Sequence, residues 1–246
     1  MSQPLSISSV TKDDTGGIIF PPIDLYSDEP PLESDLHREQ IELLIRLIKW
    51  YWRERQDFYA TGNLTVYFSP NQKKSEDFRG PDFLVVLDTE KKDRKSWVVW
   101  QEDGKYPNVI IELLSDSTAS IDKGLKKQIY QNTFRTPDYF WFDPVSLEFQ
   151  GFHIVDGQYQ ELLLTPEGRL WSQQLGLYLG VIERKLRFFT PDGQLVLLPE
   201  EEANQQLQQA NQQLQQANQQ LEQERQKAER LAERLRAAGI DPDELI

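Results

Sequence analysis

The chain has 246 residues, of which 38% are hydrophobic and 11% aromatic, enough apolar material for one core with extensions. It contains no cysteine, which excludes disulfides and cysteine-ligated zinc. A net charge of −13 argues against a tight, non-specific nucleic-acid binder, although a local basic stripe beside an acidic site remains compatible with it.

The opening MSQPLSISSVTKDD has no basic segment leading into an apolar run, so no secretory signal is expected. No apolar stretch approaches the roughly 18 residues that span a bilayer. A soluble, cytoplasmic protein without membrane contact is the expectation. Residues 1–32 are rich in Pro, Ser and Asp, with four prolines in PPIDLYSDEPP, and are expected to form an extended arm. Ser34 or Asp35 then offers an N-cap. Leu36, Ile41, Leu43, Leu44, Leu47, Ile48 and Tyr51 follow at roughly helical spacing, which predicts an amphipathic helix of about five turns.

Strand-like runs come next: NLTVYF at 63–68, DFLVVL at 82–87 and NVIIELL at 108–114. The third is apolar on both faces and so is expected at the sheet centre. A charged insertion separates it from the second. A helix is predicted over 121–133, followed by strands at 139–142, 147–154 and 158–163. The last two are joined at Asp156-Gly157, a hairpin signal. Further strand-like pieces lie at 185–189 and 194–197, joined at Pro191-Asp192-Gly193. This order implies an α/β fold, a mixed sheet flanked by helices, over residues 33–199.

From about residue 200 the aromatics vanish. The unit ANQQLQQ begins at Ala203, recurs at Ala210 and returns as ANQQLEQ at Ala217. Leu207, Leu214 and Leu221 fall at heptad position a, with Ala203, Ala210 and Ala217 at d. Ala228, Leu231, Leu235 and Ala238 continue the register, and Glu224 interrupts one d position. A C-terminal coiled-coil helix over 200–239 is expected, making the chain a homo-oligomer through residues 203–238. Gly239 and Asp241-Pro242 end it, leaving residues 240–246 as a tail. The segment 200–246 holds ten acidic and five basic residues, so the body carries −8 of the charge.

Two carboxylates stand out. Asp82 opens DFLVVL after Gly80-Pro81, and Glu112 lies inside NVIIELL. A charge inside a strand buried on both faces costs several kcal/mol unless it is paired or binds a metal. Two hard oxygen ligands on neighbouring strands suit Mg²⁺ or Mn²⁺, with water and a phosphate oxygen completing the shell. The following helix supplies cations. Asp122, Lys126 and Tyr130 share one face at i, i+4, i+8, and Lys123 and Lys127 form an adjacent row. The competing reading for Glu112 is a structural ion pair with Lys126 or Arg79. Of the two histidines, His37 could contact the site from above, but a cap or surface role is the first expectation, and His153 is expected to be structural. No Ser-His-Asp arrangement and no glycine-rich phosphate loop is evident.

These residues carry a resemblance. PD at 81–82, the strand ending in IELLSDST, then D-x3-K-x3-Y and TPDYFWFDP, is similar to the Uma-type family of restriction endonucleases. That family is abundant in cyanobacteria and belongs to the PD-(D/E)xK nuclease superfamily. The similarity runs from about Ser34 to Asp143, and the ending RLAERLRAAGIDPDEL matches a common family tail. It implies a restriction-endonuclease-like fold and a metal-dependent endonuclease that hydrolyses DNA. Asp82 and Glu112 match the metal-binding acids. Most of the superfamily carries a lysine two residues after the second acid, where this chain has Leu114; Lys126 matches the lysine displaced to the next helix. Asp77, Arg79, Gln40, Ser115, Asp122 and Tyr130 are candidate helpers. The alternative is a catalytically inactive nuclease-fold module assembled by its coiled coil, motivated by the net charge, Leu114 and the long tail.

Overall fold

A computed structural model of the chain describes residues 34–68, 78–115 and 122–239. The expected arm (1–32) and tail (240–246) lie outside the described residues. Those residues fall into two compact units divided after Val196. Among them no helix is long and apolar enough to cross a membrane.

The first unit opens with helix α1 (Asp35–Tyr51). Ser34 is its N-cap and accepts the backbone N–H of His37 at 3.3 Å, satisfying an otherwise orphaned donor of the first turn. Ile41, Leu43, Leu44, Leu47 and Ile48 of its apolar stripe are buried, whereas Leu36 and Tyr51 near its two ends are exposed. The helix packs on β1 (Phe58–Thr61), β4 (Phe83–Leu87) and β12 (Lys185–Phe189). Gln40 clamps it to the last of these. Its amide donates to the Leu186 carbonyl at 2.9 Å and accepts the Leu186 N–H at 3.0 Å, as a strand would.

The main sheet has six strands in the order β1-β4-β6-β7-β8-β9, with β6 at Val109–Leu113, β7 at Asp138–Phe142, β8 at Phe149–Val155 and β9 at Gln158–Glu161. Within this sheet only the β6–β7 pair is parallel. The connection between them carries α2, a π turn Asp122–Lys126, one α turn Lys127–Ile129 and a second π stretch Tyr130–Phe134. Parallel neighbours require such a crossover. All five residues of β6 are buried, as its doubly apolar run predicted, and so are all five of β7. One face of the sheet, with Leu84, Val86, Ile110, Leu114 and Tyr139, meets Tyr130 and Phe134 of α2 in one core cluster.

Two small sheets complete the unit. Strands β2 (Val66–Tyr67), β3 (Phe78–Arg79) and β5 (Trp97–Val98) form one, and β10 (Arg169–Ser172), β11 (Leu177–Ile182) and β12 form an antiparallel meander. The 63–68 run is thus a strand of two residues. The 194–197 run gives only one bridge, Phe189 with Leu195. Strands β1, β3, β5, β10 and β11 were not foreseen. The Asp156-Gly157 hairpin is present, both residues with positive φ (50° and 81°), the backbone a two-residue turn between twisted strands requires.

The second unit is helix α3 (Pro199–Ala237), with Pro199 in its first turn, Glu200–Glu202 acidic near the positive end and Arg234 and Arg236 near the negative end. The Glu201 carboxylate accepts the Leu198 N–H at 2.8 Å.

Gly62 couples α1 to the turn before β4. The N–H of the next residue, Asn63, donates to the carbonyls of Pro81 and Asp82. A methyl group at Gly62 would overlap the Ile41 side chain and the Asp82 carbonyl. Gly62→Ala is therefore expected to destabilise the unit by about 1–3 kcal/mol, as overpacking does, and to displace Asp82. Chemical denaturation of the variant checks the first effect.

Candidate active site

Glu112 sits near the carboxyl end of β6, fully buried, opposite Trp141 of β7. Its carboxylate is held twice from α2. Lys126 donates through Nζ to Oε2 at 3.0 Å, and Tyr130 donates its hydroxyl to Oε1 at 2.6 Å. These are charge-assisted bonds, and they offset the desolvation of the acid. Tyr130 is itself fully buried, packed against Phe134 and Tyr139. It is a rigid donor in the core rather than a surface residue. Lys126 keeps 19% of its side chain exposed, so the open side of the carboxylate is its side.

Asp82 enters from the neighbouring strand. Antiparallel pairing sets Phe83 opposite Ile111, and one further step of that register sets Asp82 opposite Glu112. Directly opposed residues of adjacent strands share a face. The Asp82 Oδ2 accepts the Leu113 N–H at 2.7 Å, so its carboxylate lies one peptide from Glu112. The predicted acids are thereby brought together, with Lys126 and Tyr130 joining at Glu112. Both π stretches of α2 lie where these side chains project, and such distortions concentrate at functional sites.

Lys127, of the adjacent row, goes elsewhere. Its amine lies 3.4 Å from the centroid of the Phe152 ring, and burial lowers its pKa against the raising influence of Glu161. Lys126 is therefore the lysine of this cluster. Leu114, two residues after Glu112, is 2% exposed and belongs to the core. An amine there would have to be buried among Val66, Trp97 and Phe134.

The remaining candidates separate. Asp77 lies outside the described residues. Arg79 falls in β3 and Asp122 opens α2, and the expectations about their side chains lie outside what is described. Ser115 follows β6 and is half-buried. Gln40 does not serve the site, because both ends of its amide are engaged by Leu186.

His37 was expected at the surface or in a cap. It is 8% exposed, and its Nε2 lies 2.9 Å from the Leu113 carbonyl. A carbonyl only accepts, so Nε2 carries a proton there, and Nδ1 lies 3.1 Å from the Ser34 hydroxyl. The Leu113 residue is thus gripped at its N–H by Asp82 and at its C=O by His37. The sequence signal was present, since His37 occupies the helical face of Ile41, Leu44 and Ile48. His37→Ala removes the donor and is expected to cost about 1–3 kcal/mol, because a buried carbonyl loses its partner. His37→Gln should recover part of that loss, read by thermal denaturation.

A second buried acid, Asp138, meets His153 and Ser172. Oδ1 lies 2.7 Å from His153 Nδ1, and Oδ2 accepts the Ser172 hydroxyl at 2.6 Å and the Gln174 N–H at 2.9 Å. The acid stands between the histidine and a serine that is fully buried, so no base faces a nucleophile. The network fastens the β10–β12 meander to β7.

Metal-binding capacity follows from the donor set. Among the described residues no group of three or more His or acidic side chains is placed to cage an ion. Asp82 and Glu112 offer two hard oxygen donors. That set suits a cation which retains waters and takes its other ligands from a substrate phosphate, as Mg²⁺ and Mn²⁺ do. It does not suit a closed structural site.

The family model described as "Putative restriction endonuclease", Uma2, matches residues 25–184, more than half of the chain. The chain belongs to the Uma2 family. Every residue of the cluster, from His37 to Tyr130, lies within the Uma2 match. An uncharacterized protein of Synechocystis, slr1290, is 31% identical over 117 residues, which is 46% of this chain and 58% of that protein's length. A crystal structure of a protein from Anabaena variabilis, described as "a putative nuclease belonging to DUF820", is similar over 59% of this chain and 76% of that one, at 13% identity and a TM-score of 0.44.

Proposed function

We propose that the chain is a divalent-metal-dependent endonuclease acting on DNA, with Asp82, Glu112 and Lys126 as its reaction centre. One observation carries this reading: a fully buried carboxylate, Glu112, stands beside a second acid and under a half-open lysine at the end of the parallel strand pair. Ligand clefts of open α/β sheets form outside the carboxyl ends of such strands.

Asp82 and Glu112 would hold Mg²⁺ or Mn²⁺. Bound there, the ion would neutralise phosphate charge and lower the pKa of a coordinated water. Tyr130 orients Glu112 by its 2.6 Å bond and keeps the carboxylate at one rotamer. Lys126 contributes the cation that faces a substrate, placed to donate to a phosphate oxygen as negative charge builds on it. His37 and Asp82 hold the peptide after Glu112, so the acidic strand does not yield when substrate arrives. The net charge of −13 makes binding depend on this local cation and the metal rather than on a basic surface. An enzyme that cuts both strands of a duplex works most simply with two sites, and residues 203–238 are where two chains would associate.

The test is cleavage of plasmid and single-stranded DNA with Mg²⁺ or Mn²⁺. Cleavage by the native chain and its loss in the double variant Asp82→Ala, Glu112→Ala is the expected result. Activity that survives the double substitution removes the assignment.

A second reading is favoured by one observation. The Glu112 carboxylate already has a lysine and a tyrosine as partners. A site closed in this way suits an inactive nuclease-fold module that binds or assembles. Calorimetric titration separates the two readings, since the module would take up no Mn²⁺ at millimolar concentration.

A further inference from the structure

Among the described residues, nothing covers helix α3 along most of its length. Every residue from Ala203 to Arg230 is exposed, including Leu207 (61%), Leu214 (60%) and Leu221 (68%). Helices draw most of their stability from packing an apolar face. Here three leucines exactly one heptad apart form that face, with alanines between them. A seven-residue period in α3 requires a partner helix of the same period.

We propose that α3 pairs antiparallel with α3 of a second copy of this chain along residues 203–221. Leu207, Leu214 and Leu221 then seat against Ala217, Ala210 and Ala203 of the partner subunit. Three features select this occupant and this direction, independently of any chemistry at Glu112.

The flanks admit a second copy. The positions beside the seam are Asn204, Gln206, Asn211, Gln213, Asn218 and Gln220, all uncharged. Two copies bring no like charges together there, and a partner with charged flanks would find nothing to pair with.

The layers select the direction. In a parallel pair each layer joins like with like, so Leu–Leu layers would alternate with Ala–Ala layers. Interaxial distance depends on the side chains at the contact, and one pair of helices does not satisfy both spacings within a single heptad. An antiparallel pair sets position a against d. Every layer then holds one leucine and one alanine, and the spacing is uniform.

Glu224 selects the register. The proposed alignment gives six Leu–Ala layers and ends where Glu224 would meet Glu200 of the partner subunit. Sliding one heptad in one direction buries Leu207 against Glu224. Sliding the other way loses two of the six layers.

The native chain has no cysteine, so single-cysteine variants of the full-length protein report one distance each. The two-fold axis of this alignment falls at position 212, so the two copies of position 211 lie on the same side of the seam, about 3 Å apart along the axis at 1.5 Å per residue. Asn211→Cys is expected to oxidise to a disulfide-linked dimer. Position 203 lies about 27 Å along the axis from its own copy, at 1.5 Å per residue, far beyond disulfide reach. Ala203→Cys should therefore remain uncrosslinked. Both positions are exposed, and helix content by circular dichroism verifies that each variant is folded. Crosslinking at 203 alone would mean a parallel pair, and crosslinking at both would mean no single register; either overturns the proposal. So does a monomer in sedimentation at about 100 µM, a concentration far above a micromolar dissociation constant.

Discussion

Glu112→Gln is expected to reduce metal-dependent DNA cleavage by about 10²–10³-fold, the scale of losing one preorganised electrostatic group. The substitution keeps the volume of a fully buried side chain and removes only its charge. Two donors, the Lys126 amine and the Tyr130 hydroxyl, then face an amide whose carbonyl can accept one of them well. The protein is also expected to lose stability. Breaking a buried pair costs about 3–5 kcal/mol, and the 19% exposure of Lys126 places this case toward the lower end, because water reaches the stranded amine. Stability and chemistry can be separated by thermal shift with Mn²⁺. A ligand that binds only the folded state raises its melting temperature by mass action. The native chain should show this rise and Glu112→Gln should not. An equal rise in both would mean that Glu112 does not hold the ion.

The largest purely structural effect is expected at Asp138. Asp138→Ala removes the acceptor for His153, for the Ser172 hydroxyl and for the Gln174 N–H in one step. The acid is fully buried, as is Ser172. A loss of about 3–5 kcal/mol follows from stranding such partners, enough to unfold a domain of ordinary stability at moderate temperature. Urea denaturation measures it. Asp138→Asn should be milder, since an amide oxygen still accepts one bond, although its NH₂ then meets a donor. The double variant Asp138→Ala, Ser172→Ala should lose less than the sum of the two single losses, because the serine no longer has a partner to lose. Full additivity would show that the two side chains are not one network.

Several elements of this molecule are legible in the sequence. The stripe from Ile41 to Ile48, with Ser34 before it, specifies α1 because helical period and cap chemistry are local. The doubly apolar run around Ile110 and Ile111 specifies the central strand, because only burial on both faces accounts for it. The acid within that run marks Glu112 without any contact being known. Strands β1, β3, β5, β10 and β11 were missed for a physical reason. β3 and β5 have two residues each and β1 and β10 four, β11 carries Gly180 in place of a packing side chain, and β1 takes its conformation from β4, more than twenty residues away. His37 was misjudged because a histidine beside an N-cap serine has a sufficient local explanation. Its second partner, Leu113, is 76 residues away.

The chain by itself determined the acid within an apolar run, the preceding Asp82, the rows of lysines on the following helix and the heptad tail, because charge, period and spacing are properties of residues in line. Only the tertiary structure decided which groups meet. It set Asp82 opposite Glu112 through strand register, assigned Lys126 and not Lys127 to the carboxylate, removed Gln40 to the β12 backbone and drew His37 onto the acidic strand. The same long-range packing fastened Asp138 to a meander whose residues follow it by more than thirty positions. Pairing register and helix rotation arise from burying many apolar side chains at once, and no local stretch of sequence encodes them.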